Sequence, residues 1–77
     1  MVQAFVLIQA GLGMASRVGQ AVRAIQGVRS ADIVTGPYDV VVRVEAASID
    51  ALGRLVVSKI QAIEGITRTL TCPVLRS

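Results

Sequence analysis

Two stretches of this chain carry residues whose types and spacing suit the recognition of a small polar molecule. One is Thr35-Gly36-Pro37-Tyr38-Asp39, where a glycine, a phenol and a carboxylate crowd a turn. The other is Thr67-Arg68-Thr69-Leu70-Thr71, where hydroxyls recur at every second position. A carboxylate accepts hydrogen bonds from an ammonium group, whereas hydroxyls and backbone amides satisfy a carboxylate, so together these groups suit a zwitterion. Each stretch also has a plain structural account. An aspartate in a turn caps backbone donors while a tyrosine packs on a neighbour, and threonine is a good strand residue on a half-solvated face. At the level of sequence both accounts stand.

Other chemistry is excluded more firmly. The chain has no histidine, which removes the usual general base and the commonest zinc ligand. Cys72, the single cysteine, has no activating partner nearby in sequence and falls among apolar residues, which reads as a buried structural thiol rather than a nucleophile. The carboxylates Asp32, Asp39, Glu45, Asp50 and Glu64 are too dispersed to argue a pair from spacing. Gly11-Leu12-Gly13 lacks the third glycine of a dinucleotide fingerprint and the lysine of a P-loop, and reads as a loop. The expectation is a protein without catalytic residues, metal or cofactor.

The elements that must position these residues occur twice. Val22-Arg23-Ala24-Ile25-Gln26-Gly27-Val28 recurs 38 residues later as Ile60-Gln61-Ala62-Ile63-Glu64-Gly65-Ile66. Each half reads as strand, helix, strand. Val2 to Gln9 is apolar with almost no alternation, the pattern of a central strand covered on both faces. Val18, Ala21, Val22 and Ile25 form an apolar helical stripe that Gly27 ends, as Gly65 ends the second. Val28 to Thr35, with Arg29, Ser30 and Asp32, suits an edge strand. After the Gly36-Pro37 turn, Tyr38 to Ala46 sets Tyr38, Val40, Val42 and Val44 on one face and Asp39, Val41, Arg43 and Glu45 on the other. Ser48 caps a second helix whose stripe is Ile49, Leu52, Val56 and Ile63, with Asp50 in its first turn and Lys59 late in it. In the last strand, Ile66 to Leu75, the threonines Thr67, Thr69 and Thr71 face away from Ile66, Leu70, Cys72 and Val74, and Pro73 suggests an edge.

This order predicts one α+β domain over residues 1–77. It is a split βαβ, or ferredoxin-like, βαββαβ fold with an antiparallel sheet of order 4-1-3-2 and both helices on one face. The other face is left bare, with part of Val2 to Ile8 and Val41 on it. A chain of 77 residues with 53% hydrophobic residues and one cysteine has neither disulfides nor a large core to stabilise it. Pairing of two sheets face to face into a dimeric α/β barrel would cover the bare face. The net charge of +3 is scattered, with no basic run and only two aromatic residues, which argues against direct nucleic-acid binding. The apolar start lacks a basic flank and a cleavage site, and no run is long enough to span a membrane, so a cytoplasmic location is expected.

Thr35-Gly36-Pro37-Tyr38-Asp39, the valine-rich strand after it, and Ile63 to Val74 together resemble the effector-binding (RAM) domain of the Lrp/AsnC family of feast/famine regulators. The motif is a G-x-Y-D turn followed, 26 residues after Asp39, by G-[IV]-x-x-T-x-T-x-x-V. The likeness covers essentially the whole chain. It implies a domain that dimerises through its sheets, builds larger rings, and binds amino acids or similar effectors between dimers. It also implies a ligand site at Gly36, Tyr38, Asp39, Thr69 and Thr71, with Asp39 on the ligand ammonium, the threonines offering hydroxyls, and Tyr38 forming a wall or a hydrogen bond. Family transcription factors carry an N-terminal helix-turn-helix, and nothing of that kind precedes the first strand here. The expectation is therefore an amino-acid-binding, homo-oligomeric module that does not itself bind DNA and modulates full-length relatives through a shared interface. The alternative is a small cofactor-independent enzyme of the dimeric α/β barrel type, and fold alone does not separate the two.

Overall fold

The computed structural model describes residues 1–75, and the chain alternates strands and helices in the predicted order. Strand β1 (Val2–Ala10), helix α1 (Ala15–Arg23) and β2 (Val28–Ile33) form the first unit. Strand β3 (Val40–Ala46), helix α2 (Ile49–Arg54) with a π-helical continuation (Leu55–Ile60), and β4 (Ile66–Pro73) form the second. The sheet is antiparallel in the order β2-β3-β1-β4, the predicted arrangement read from its other edge.

Alternation explains which face is covered. Ala4, Val6 and Ile8 of β1 and Val40, Val42 and Val44 of β3 are buried together with Val18 and Val22 of α1, Leu52 of α2, and Val56 and Ile60 of the π-helical segment. The repeat is thus a repeat of packing, since the 38-residue offset carries Val18 onto Val56 and Val22 onto Ile60. The expectation that β1 is covered on both faces is corrected within one chain: Phe5 is 39% exposed and Leu7 only half-buried. On the same open face lie Val41, Leu70 and Cys72, the last two opposite Leu7 and Phe5 in register.

Four further expectations are revised. Cys72 is exposed rather than buried, because strand alternation turns it away from the helices. A register shift at Gln9/Ala10 leaves Thr67 between Ile66, opposite Ala10, and Arg68, opposite Gln9. The extra residue turns Ile66 onto the core instead of beside Leu70. Ile49, at the outer end of α2, is 61% exposed, and the second helical stripe is Leu52, Val56 and Ile60. Its last part is π-helical, with the Gln61 amide bonding the Val56 carbonyl at 2.8 Å.

The repeated glycines do not end the helices. The helical segments end at Arg23 and at Ile60, and each glycine then occupies a turn closed by Val28 N–H to Ile25 C=O (3.2 Å) or Ile66 N–H to Ile63 C=O (3.4 Å). Gly27 and Gly65 have φ of 101° and 100°, the third-residue conformation of a turn that favours glycine. At Gly27 a Cβ would also stand 3.1 Å from the Glu45 carbonyl oxygen and 3.2 Å from Leu55 Cδ2. Gly27→Ala is expected to lose about 2 kcal/mol, or roughly 10 °C in melting temperature. Thermal unfolding followed by circular dichroism checks this, and a shift below about 2 °C contradicts it.

Ser48 caps α2 as predicted, its Oγ accepting from the Ala51 amide at 3.1 Å. Among the described residues no helix is long and apolar enough to cross a membrane.

Candidate functional site

The Thr35–Asp39 turn joins β2 to β3 and is fastened to the end of β1 by three hydrogen bonds. The Asp39 amide donates to the Ile8 carbonyl (2.8 Å), the Ala10 amide to Asp39 Oδ2 (2.8 Å), and Gln9 Nε2 to the Pro37 carbonyl (2.9 Å). Val34 N–H to Asp39 C=O at 2.9 Å closes the turn itself. Tyr38 and Asp39 are half-buried and Gly36 is exposed. The structural account of Asp39 therefore holds for one of its oxygens, which satisfies the Ala10 amide where the β1–β4 ladder shifts. Its other oxygen, Oδ1, has no protein partner among the described residues.

Thr69 and Thr71 stand on the edge strand opposite Ile8 and Val6, on the helix side of the sheet. Both are half-buried. Gln61 Nε2 donates to Thr69 Oγ1 at 2.8 Å. With its oxygen accepting from Gln61, the Thr69 hydroxyl is left to donate its proton outward, which suits an anionic acceptor. Gln61, Ile66, Thr67, Arg68 and Thr69 line an open recess of about 240 Å³. Thr67, the bulged residue, donates to the Gln9 carbonyl at 3.2 Å.

The structure thus gathers Gly36, Tyr38 and Asp39 at one end of β1 and pairs Thr69 with Gln61. Strand β1 lies between the two groups: Val40, Ile8 and Thr69 form one cross-strand row. The main concavities of a single chain are lined by one group or neither.

Sequence reasoning missed Gln61, although the repeat held the signal. Arg23, at the equivalent position of the first unit, reaches eight residues forward and donates from Nε and Nη2 to the Ala31 carbonyl, at 3.1 and 2.6 Å. Gln61 reaches eight residues forward to Thr69. In both units the residue after the last buried helical position ties the helix end to the following strand. In the first unit its target is a backbone carbonyl; in the second it is a side-chain hydroxyl.

The βαββαβ sheet thus carries two hydrogen-bonded polar clusters, one around Asp39 and one around Thr69. The chain belongs to the Lrp/AsnC family, whose ligand-binding-domain model, described as "Lrp/AsnC ligand binding domain", matches residues 3–77. It is 35% identical over 72 residues to an uncharacterised HTH-type transcriptional regulator of Pyrococcus furiosus, a match covering 88% of this chain and 47% of the regulator. The chain spans about half the length of the curated relatives it matches. A crystal structure of a Thermus thermophilus protein superposes with a TM-score of 0.94 at 34% identity, covering 100% of this chain and 96% of that one. A more distant feast or famine regulatory protein of Mycobacterium tuberculosis, solved in complex with L-methionine, superposes with a TM-score of 0.83 at 26% identity, over 100% of this chain and 52% of that one.

Proposed function

We propose that this domain binds an amino acid, self-associates through its open sheet face, and modulates full-length regulators of its family by joining them through that face. The observation that carries the reading is the geometry of Asp39. One oxygen is held by the Ala10 amide, which orients the carboxylate, and the other is left to accept from an ammonium group. The Thr69 hydroxyl, oriented by Gln61, supplies a donor for the ligand carboxylate, with Thr71 two residues on along the same strand face. Gly36 and Tyr38 flank the ammonium end. Because β1 separates these groups in one chain, a neighbouring copy completes the site, the turn of one facing the edge strand of another. The methionine complex of the mycobacterial relative supports the ligand class.

No nucleophile, acid or base is needed for this role, and the domain acts by binding rather than by catalysis. Self-association is supported by Phe5, Leu7, Val41, Leu70 and Cys72, which share the open face and which a second sheet would cover as a dimeric α/β barrel.

The test is the melting temperature of the purified protein with each common amino acid in turn. A ligand at 100 times its dissociation constant adds about 2.7 kcal/mol, so a clear rise is expected for one or a few. No rise with any of them would remove the amino-acid assignment.

A further inference from the structure

One concavity lies away from the Asp39 and Thr69 clusters. It is a groove of about 660 Å³ between the end of α1 and the outer flank of α2 and its π-helical continuation. Ala24, Ile25, Ala51 and Leu55 give it an apolar lining, and Arg54, Lys59, Ser58 and Gln26 supply polar groups. No acidic residue lines it. Neither Arg54 nor Lys59 has an ion-pair partner among the described residues, whereas Arg29 pairs with Glu45 at 2.8 Å and Arg23 is spent on the Ala31 carbonyl.

The helix geometry adds a second observation. Arg54 caps the start of the π-helical segment and Lys59 lies five residues later, within it. An α-helix would set residues five apart roughly 140° around its axis. The wider π winding, which bonds i to i+5, brings residues five apart much nearer to one another around the axis. Isolated π segments recur at functional sites because they give up regular helix geometry to re-aim side chains. Here two cations without ion-pair partners among the described residues line one apolar groove.

We propose that this groove is a second binding site, taking a small organic anion whose apolar body lies on Ile25 and Leu55 and whose carboxylate or phosphate head is held by Arg54 and Lys59 with help from the Ser58 hydroxyl. The site is independent of the Asp39 and Thr69 clusters and of the reading given to them. Charge complementarity selects the head group, and the volume is in the range of small-ligand pockets.

The experiment is titration of the isotope-labelled protein with hexanoate, hexyl phosphate and neutral hexanol, followed by amide chemical shifts. Saturable shifts at Ala24, Ile25, Ala51 and Ser58 are expected with at least one anion, tighter than about 1 mM, and not with hexanol. The anion that binds more tightly identifies the head group. Arg54→Gln combined with Lys59→Gln is expected to weaken binding at least about tenfold, and Asp39→Asn to leave it unchanged. The double variant replaces exposed side chains, and its amide spectrum in the absence of ligand verifies that it is folded. An equal response to hexanol, shifts confined to other residues, no saturable shift with either anion, or a double variant that binds as the unaltered protein does would each overturn the proposal.

Discussion

Asp39→Asn is expected to keep the fold and lose amino-acid binding, whereas Asp39→Ala is expected to damage both. Under the proposed function the carboxylate has two separable jobs. Its Oδ2 satisfies the Ala10 amide, and an asparagine carbonyl oxygen can take over that bond at the same place. Asparagine cannot replace the negative charge offered to an ammonium, and with its oxygen turned to Ala10 its own NH2 group faces the ligand. The loss of a charge-assisted interaction weakens binding by roughly 10- to 150-fold, equivalent to about 1.5–3 kcal/mol. Alanine additionally leaves the Ala10 N–H without a partner, at about 1–3 kcal/mol of stability. Melting curves of both variants with and without amino acid distinguish these effects. The expected pattern is an unliganded Asp39→Asn melting within a few degrees of the parent, with no ligand-induced rise. A full rise in Asp39→Asn would remove Asp39 from the ligand site.

Leu70→Lys is expected to convert the assembly to monomers. Leu70 lies opposite Leu7 on the open face and is 47% exposed in a single chain. In a monomer, lysine there changes stability by only a few tenths of a kcal/mol, since its charge stays in water. If two sheets meet on this face, the same lysine is desolvated without a partner in each copy, at a cost of several kcal/mol. The dissociation constant should rise by more than about 100-fold. Because a domain this small gains stability from association, its melting temperature should fall and become less dependent on concentration. Sedimentation velocity reads the outcome directly. A variant that sediments as the parent does would place the interface elsewhere.

The polar groups on the open face bear on how such an interface would be registered. Arg43 Nη2 donates to Gln3 Oε1 (3.0 Å), Gln3 Nε2 to Glu45 Oε2 (3.0 Å), and Glu45 pairs with Arg29, a continuous chain across β1, β3 and β2. The Arg43 guanidinium also lies 5.5 Å from the centre of the Phe5 ring. Glu45 is already paired within one chain, whereas Arg43 has only the Gln3 oxygen and the Phe5 ring and no carboxylate partner among the described residues, so a second sheet must leave its guanidinium in water or offer it an acceptor.

Much of this molecule was legible in its sequence because periodicity and turn chemistry are local. Val40, Val42 and Val44 alternate as their burial does, Val18 and Val22 sit on the predicted helical stripe, Ser48 caps α2, and the 38-residue repeat announces two equivalent βαβ units. The motifs around Gly36-Pro37-Tyr38-Asp39 and Thr69-Leu70-Thr71 carried the family.

What the tertiary structure alone decided depends on register and on which strands become neighbours. A bulge at Gln9/Ala10 turned Ile66 inward, and pairing with Phe5 turned Cys72 out, because one residue of slip exchanges the faces of a strand. The π-helical turn was invisible because its apolar positions fit an α-helix equally well. The bond from Gln61 to Thr69 depends on where the helix end meets the edge strand, and the contact of Asp39 with the Ala10 amide joins residues 29 apart in sequence. The chain determined from its own local order that two βαβ units form. Only their packing decided that Asp39 spends one oxygen on the backbone, that Gln61 orients a threonine, and that β1 stands between the two, since hydrogen-bond partners across a sheet are fixed by the pairing of strands and not by their composition.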